Sequence, residues 1–407
     1  MTASVAIIGA GPAGLMAAER LAARGHAVTI YESMPSPARK LLIAGRGGLN
    51  ITHSEDIDRI VTRYGNRGEL LRAALTAWSP QATVAWLGDL GIETFTGSSG
   101  RVFPRAMKAS PLLRAWLRRL DTSGVRLVLG YEWRGFDPSG ALLFSHPDGR
   151  EETVIAEATV LAMGGASWPR LGSTGAWTKI LSRDGIAVAP LVPANCGILI
   201  AWSEHVAPRF AGAPLKRMAL SIGGRTVRGE AIITRNGLEG GAVYAVSSLV
   251  RDTIAAGGGA QFTLDLRPDM TLSELSHRLS SPRGKQSAAN FLRKAVALTP
   301  AAIALMREPG PLPTDPAGLA GRIKALRLSA TGCCGLERAI STAGGVTFDA
   351  LDETFMIRAR PGVFVAGEMI DWDAPTGGYL LQATLATAVA AAAGVDRWLA
   401  ASPVTRP

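Results

Sequence analysis

Cysteine, histidine and aromatic residues are scarce in this 407-residue chain, and each shortage removes a class of explanation. The three cysteines, Cys196, Cys333 and Cys334, are an odd number that builds no disulfide framework and suits a reducing compartment, so a cytoplasmic location is expected. The vicinal Cys333-Cys334 pair would close only a strained ring and lacks C-x-x-C spacing, so both read as small buried hydrophobes. The five histidines are scattered, with no cysteine or carboxylate at ligand spacing, so no metal site is expected. No G-x-S-x-G nucleophile motif occurs. Long apolar runs are also missing, apart from the alanine-rich stretch Tyr379–Val395. Gln382 and several threonines interrupt it, and it reads as a buried helix rather than a membrane span. Met1–Ser4 has no basic segment of the kind that opens a signal peptide.

Charged residues are 19% and hydrophobic residues 47%, ordinary for a globular enzyme and opposed to extensive disorder. The net charge of +10 raises the question of a polyanionic partner. The basic residues are dispersed, and Arg114, Arg118 and Arg119 recur at helical spacing as one solvated face. A nucleic acid partner is therefore not expected; a small-molecule substrate is.

Glycine, by contrast, is abundant, and its placement is informative. Val5–Ile8 reads as one buried strand leading into Gly9-Ala10-Gly11-Pro12-Ala13-Gly14, the spacing G-x-G-x-x-G. A helical stretch, Leu15–Arg24, and a second strand, Ala27–Tyr31, follow, ending on Glu32. In such a unit Gly9 permits the tight turn, Gly11 lets backbone approach a pyrophosphate, and Gly14 lets helix and strand pack closely. The pyrophosphate sits on unpaired N–H groups at the positive end of the helix dipole. Glu32 can accept hydrogen bonds from ribose hydroxyls and would repel a 2′-phosphate, so the ligand is FAD or NAD rather than NADP. No second unit of this kind follows.

The tail carries a second signal, a buried strand at Gly362–Ala366 that delivers Gly367-Glu368. Gly377-Gly378-Tyr379 then opens the last helix. An acid at that strand end can bond the ribityl hydroxyls of a flavin. The glycine pair at a helix N-terminus can face the flavin N1–C2=O region and favour its anionic reduced form. Between the two signals lies a glycine-rich basic loop, Ala38–Thr52, whose Arg39, Lys40 and Arg46 can offset cofactor charge. Val125–Leu129 and Ala141–Ser145 read as strands of a small antiparallel layer. Thr159–Ala162 is another buried strand, ending at Gly164-Gly165. From Leu191 to Leu266 the pattern is β-like with no competing amphipathic helix, and Leu272–Ala325 is helical in periodicity.

With these motifs the chain resembles the bacterial BaiN/YhiN-like family of NAD(P)/FAD-dependent oxidoreductases, flavoproteins of the glutathione-reductase-like superfold. The matching segments are Ala6–Glu32, Arg39–Thr52, Gly100–Pro104, Met163–Gly175, Thr342–Val346 and Gly362–Gln382. One departure is clear: family members commonly show Gly-Gly-Arg-Cys-Asn where this sequence has Gly47-Gly48-Leu49-Asn50 preceded by Arg46. The resemblance implies a Rossmann-like α/β FAD-binding domain with a parallel sheet (1–190 and 344–407). A β-barrel-like insert (191–268 and 326–343) would interrupt it, with a helical subdomain (269–325) nested inside. It implies FAD as cofactor, held by Gly9, Gly11, Pro12, Ala13, Gly14, Glu32, Arg39, Lys40, Gly47, Asn50, Gly164, Gly165, Gly367, Glu368, Gly377, Gly378 and Tyr379. Trp133 falls where such folds read the adenine through backbone atoms. NAD(P)H would be a transient electron donor at the flavin face, and Lys40, Arg101 and Tyr379 are the candidates for catalysis. The expected activity is FAD-dependent hydride movement between flavin N5 and an organic substrate. An RNA-directed flavoprotein and a non-catalytic FAD-binding sensor stay open as alternatives.

Overall fold

The computed structural model describes residues 2–45 and 48–401. Its central sheet is parallel and five-stranded, in the order β5-β4-β1-β2-β3: β1 Ser4–Ile8, β2 Ala27–Glu32, β3 Arg126–Leu129, β4 Ala158–Leu161 and β5 Val363–Val365. The middle strands are apolar on both faces because a parallel sheet is covered on both sides, and Ile7, Ile30 and Val160 are fully buried. Helix α1 (Pro12–Ala22) starts with proline at its first position, where a missing N–H costs nothing. Its small residues Ala17 and Ala18 are buried, and it packs on the long C-terminal helix α3 (Tyr379–Ala401). Most of that alanine-rich helix is interior: twelve of its residues, Ala383, Ala388 and Ala391 among them, are buried. Helix α2 (Arg39–Ala44) lies between the two glycine-rich segments.

Two differences from the sequence-based expectation concern strands and helices. Arg126–Leu129 pairs parallel to β2 as the sheet edge, with Thr29 opposite Arg126, and is not part of the antiparallel layer. That layer is Glu132–Phe136, Leu142–Ser145 and Glu151–Val154. A half-exposed edge strand shows the same residue pattern whichever way its neighbour runs, so pattern alone misassigns it. In the segment expected to lack helices, Ser247–Ala255 is helical. Its nine residues are too few for periodicity to stand out beside the glycine run that follows.

The chain divides into two compact units, Met1–Val192 with Ser341–Pro407, and Pro193–Ile340. The second contains a seven-stranded sheet built around the long hairpin Pro214–Ile222 and Arg225–Thr234. Four helices, Leu272–Leu279, Ala288–Val296, Pro300–Leu305 and Pro316–Lys324, follow as the periodicity predicts. The first is fixed by a capping box in which Thr271 and Glu274 satisfy each other's backbone N–H groups. Leu275, Leu292, Leu305 and Ile323 share one core with Leu220, Phe262 and Leu328, so these helices form a layer of the inserted unit rather than a body with its own core.

Candidate functional site

The glycine-rich turns and acids singled out in the sequence converge at the carboxyl ends of β1, β2, β4 and β5, where open α/β sheets bind ligands. Gly9 adopts φ +104°, and its N–H donates to Tyr31 O at 2.8 Å. A Cβ on Gly14 would stand 1.9 Å from Gly9 O, so only glycine lets the helix start there. A Cβ on Gly11 would meet no atom within 4 Å, which leaves the first turn of α1 approachable by a ligand. Pro12 and Ala13 continue that turn, and Ala13 Cβ lies 2.8 Å from where a Cβ on Gly367 would stand, joining α1 to the end of β5.

Glu32 does more than wait for a ribose. Its Oε2 accepts from Ala10 N at 2.8 Å and its Oε1 from Met34 N at 2.8 Å. The carboxylate thus braces the glycine turn while retaining lone pairs for a ligand. Beside it opens a cleft of about 570 Å³ lined by Tyr31, Met34, Tyr131, Trp133, His146 and Trp177 among others. Tyr31 stacks on Phe144 at 4.6 Å beneath this wall. Trp133 is buried in the antiparallel layer, and its indole N–H has no hydrogen-bond partner among the described residues.

A second cluster forms around Lys40. Its ammonium donates to Ser167 Oγ at 2.5 Å and to Glu368 Oε2 at 2.7 Å. Glu368 also accepts from Gly165 N at 3.3 Å and, through Oε1, from Thr342 N at 2.9 Å. Thr342 Oγ1 in turn accepts from Ala166 N and Ser167 N. Thr342 opens one of the segments that carry the family resemblance, but nothing in its spacing announced this bonding role. The backbone turns this tightly because Gly164 (φ +72°) and Gly367 (φ +74°) occupy the left-handed region, and a Cβ on Gly165 would stand 2.4 Å from Thr342.

At the start of α3, Gly377 and Gly378 both have positive φ, and a Cβ on Gly378 would collide with the Thr52 backbone at 2.6 Å. Tyr379 is buried, and its hydroxyl donates to Glu55 Oε2 at 2.9 Å. Burial, with help from that carboxylate, pushes the phenol well above its ordinary range. The Arg63 guanidinium holds Glu55 below the usual carboxylate range, and His53 stacks on the Tyr379 ring at 5.2 Å. Arg101 pairs with His53 through backbone on a neighbouring strand, and its side chain is exposed. Asn50 Nδ2 donates to Thr52 O and Val102 O, holding the loop closed. Arg39 Nη1 donates to Ser36 Oγ at 3.1 Å. Arg46 and Gly47 lie outside the described residues. The network of Glu55, Arg63 and His53 was not foreseen, because its members are separated along the chain by ordinary spacing.

A dinucleotide fits this ground on three observations. The first turn of α1 is open at Gly11, the adjoining cleft is walled by aromatic rings, and several buried polar atoms near the glycine turns have no hydrogen-bond partner among the described residues. Those atoms are Arg39 Nε, Asn50 Oδ1 and Ser173 Oγ. Native proteins rarely leave such atoms unsatisfied, and a polar ligand is one way to satisfy them.

Comparison with known proteins agrees. The chain matches the HI0933-like protein Rossmann domain over residues 3–394. It is 27% identical to a 3-dehydro-bile acid delta(4,6)-reductase of Clostridium scindens, an alignment covering 94% of this chain and 96% of that protein. It is 26% identical to a ribosomal RNA dihydrouridine synthase of Escherichia coli, covering 92% and 94%. Among solved structures, a 3-ketosteroid delta1-dehydrogenase of Sterolibacterium denitrificans aligns with TM-score 0.54 and 12% identity over 97% of this chain and all of the other, a likeness of fold. The chain thus belongs to the HI0933-like Rossmann-domain family of FAD-dependent oxidoreductases.

Proposed function

We propose that this enzyme reduces a carbon–carbon double bond conjugated to a carbonyl group, with electrons drawn from a nicotinamide. The observation that carries the reading is the convergence of Lys40, Ser167 and Glu368 beside the open glycine turn of α1. The relatives supply the reaction class: the names of both describe reduction of a ring double bond that is conjugated to an oxo group.

Bound FAD would supply hydride transfer, which the side chains of a protein do not. The chain's own residues bind and orient. Gly9, Gly11, Pro12, Ala13 and Gly14 offer the pyrophosphate a helix N-terminus, and Glu32 and Trp133 flank the adenosine cleft. Glu368, Gly164, Gly165 and Gly367 line the path to the redox end, while Arg39 and Asn50 have polar atoms in reserve there. Gly377, Gly378 and Tyr379 set the α3 terminus toward it. Lys40 has three N–H donors and two are engaged, so the third serves the substrate carbonyl. An ammonium there stabilises negative charge that develops on that oxygen as the double bond is reduced, and it holds a proton to return. Glu368 keeps Lys40 in place.

A specific observation favours a second reading for the acceptor, RNA uridine. Pro193–Ile340 holds 18 Lys and Arg against 10 Asp and Glu, most of the chain's positive excess. The charge that seems dispersed along the sequence is thus concentrated by unit. The test is an anaerobic titration with NADH and NADPH followed at the visible flavin band, then addition of a 3-oxo-4-ene steroid or a uridine-rich RNA. Bleaching by a nicotinamide and recovery of the band with one acceptor supports the reading and selects the acceptor. A flavin band that no nicotinamide bleaches, or a reduced enzyme that neither acceptor reoxidises, refutes it.

A further inference from the structure

All three cysteines of the chain lie in the inserted unit, and the structure pairs them differently from the sequence. Antiparallel pairing sets Ile198 opposite Cys333, and Cys334 N donates to Gly197 O at 2.8 Å. Side chains alternate across a strand, so Cys196 and Ile198 share the face of Cys333, while Gly197 shares that of Cys334. In agreement, Cys334 Sγ lies 3.0 Å from where a Cβ on Gly197 would stand, and it lines a separate cleft with Arg235, Glu239 and Arg338. The vicinal cysteines therefore point apart. The thiols brought to one face are distant in sequence: Cys196 and Cys333 both reach Ser247, Cys196 through its backbone N–H and Cys333 through its thiol.

Their surroundings differ in a useful way. Cys196 is fully buried, with its backbone N–H donating to Ser247 Oγ at 3.3 Å. Cys333 is half-buried, and its Sγ lies 3.8 Å from Ser247 O. Arg251, anchored to Pro193 O and Asp252, faces Cys333. Cys196, aided by Arg251, favours the Cys333 thiolate against burial and the charges of Cys334 and Asp252, and the same pairing keeps Cys196 protonated.

We propose that Cys196 and Cys333 form an oxidisable dithiol, which a hydroperoxide converts to a buried disulfide. The Cys333 thiolate attacks the terminal peroxide oxygen, and the O–O bond breaks. The departing oxygen takes a proton and leaves as water or alcohol, and Cys333 is left as a sulfenic acid. Cys196 then gives up its proton and attacks that sulfur; an S–S bond forms and the sulfenic oxygen leaves as water. Two thiols lose two electrons and two protons in all, and the peroxide gains them. An external dithiol reverses the change. The bond would tie the strand Ile198–Leu199 to Gly332–Cys333, near the two ends of the inserted unit, and so close a loop through nearly all of it.

The test is a titration of the reduced, full-length protein with hydrogen peroxide, counting free thiols after denaturation. The count is expected to fall from three to one, with peptide mapping placing the cross-link at Cys196–Cys333. The thermal midpoint should rise by several degrees and return with dithiothreitol, because a long loop is closed. The C334S variant should lose both remaining thiols at the wild-type rate. In C196S, Cys333 should stop at a sulfenic acid that dimedone traps. Three thiols persisting under excess peroxide, or a cross-link that contains Cys334, would overturn the proposal. Mapping of the wild-type protein decides the matter even if a variant fails to fold.

Discussion

Gln382 is the side chain whose replacement tests most directly how the site is held. It is fully buried on α3, and its amide makes three hydrogen bonds to protein. Thr52 Oγ1 and Thr83 Oγ1 donate to its Oε1 at 2.7 and 2.9 Å, and its Nε2 donates to Trp78 O at 2.6 Å. Gln382→Leu keeps the volume and removes all three bonds. A buried polar group left unpaired costs about 1–3 kcal/mol. The Thr83 hydroxyl can turn back to a carbonyl of its own helix, so roughly two groups remain stranded. The expected loss is about 2–6 kcal/mol, a fall in melting temperature of roughly 5–15 °C for a unit of this size. FAD retention should fall as well, because Thr52 backbone lies against Gly378. The assay is thermal unfolding of apoprotein and holoprotein, each with a matched triple variant, Thr52→Val, Thr83→Val, Gln382→Leu. Removing both sides of a buried hydrogen bond restores balance, so the triple variant should recover part of the loss. A single variant within about 1 kcal/mol of wild type would refute the reasoning, as would a triple variant less stable than the single one.

Other outcomes follow from the same geometry. Gly11→Ala should leave the apoprotein melting point unchanged yet weaken FAD binding at least tenfold by equilibrium dialysis, since the added methyl meets only the ligand's space. Gly14→Ala should yield little folded protein in circular dichroism, because its Cβ collides with the Gly9 carbonyl oxygen. Lys40→Met should retain the flavin spectrum and lower kcat by about 10²–10⁴ in steady-state assays of the reductase reaction. Glu55 has a depressed native pKa, so its stabilisation is fully present above its unfolded value and is lost as pH falls through the native one. Urea midpoints measured against pH should therefore decline more steeply on the acid side for wild type than for Glu55→Gln.

The nucleotide half was legible because its signals are local. Glycines at fixed offsets, one strand before and an acid after, specify a turn that few other sequences satisfy, and Gly9 through Glu32 takes that form. The end of β5 was equally legible, since a buried strand must release its polar residue where the sheet stops. What stayed hidden depends on tertiary approach. Thr342 meets Ser167 and Ala166 only after the chain returns from the insert, and Gln382 finds Thr52 and Thr83 across three elements. Glu32 also bonds Ala10 and Met34, a bracing of the turn that its spacing does not announce. The cysteines were hidden for the same reason: neighbours in sequence are separated across a strand, and the register sets Cys333 opposite Ile198.

Strand β5 and helix α3 come from the last part of the chain, while β1 and α1 come from its first residues. On a ribosome the opening fingerprint is therefore made long before the surfaces that cover it. At about 5–20 residues per second, the apolar side of α1 waits roughly 20–75 s for α3 to emerge. The intervening unit has its own core and can fold during that delay. Cofactor capture is then a late event in the life of each molecule, and a ribosome that stalls before residue 362 leaves a chain with a folded insert and an open, sticky nucleotide half. Such a nascent chain would call on chaperones at its N-terminus, the part that looks most complete in sequence.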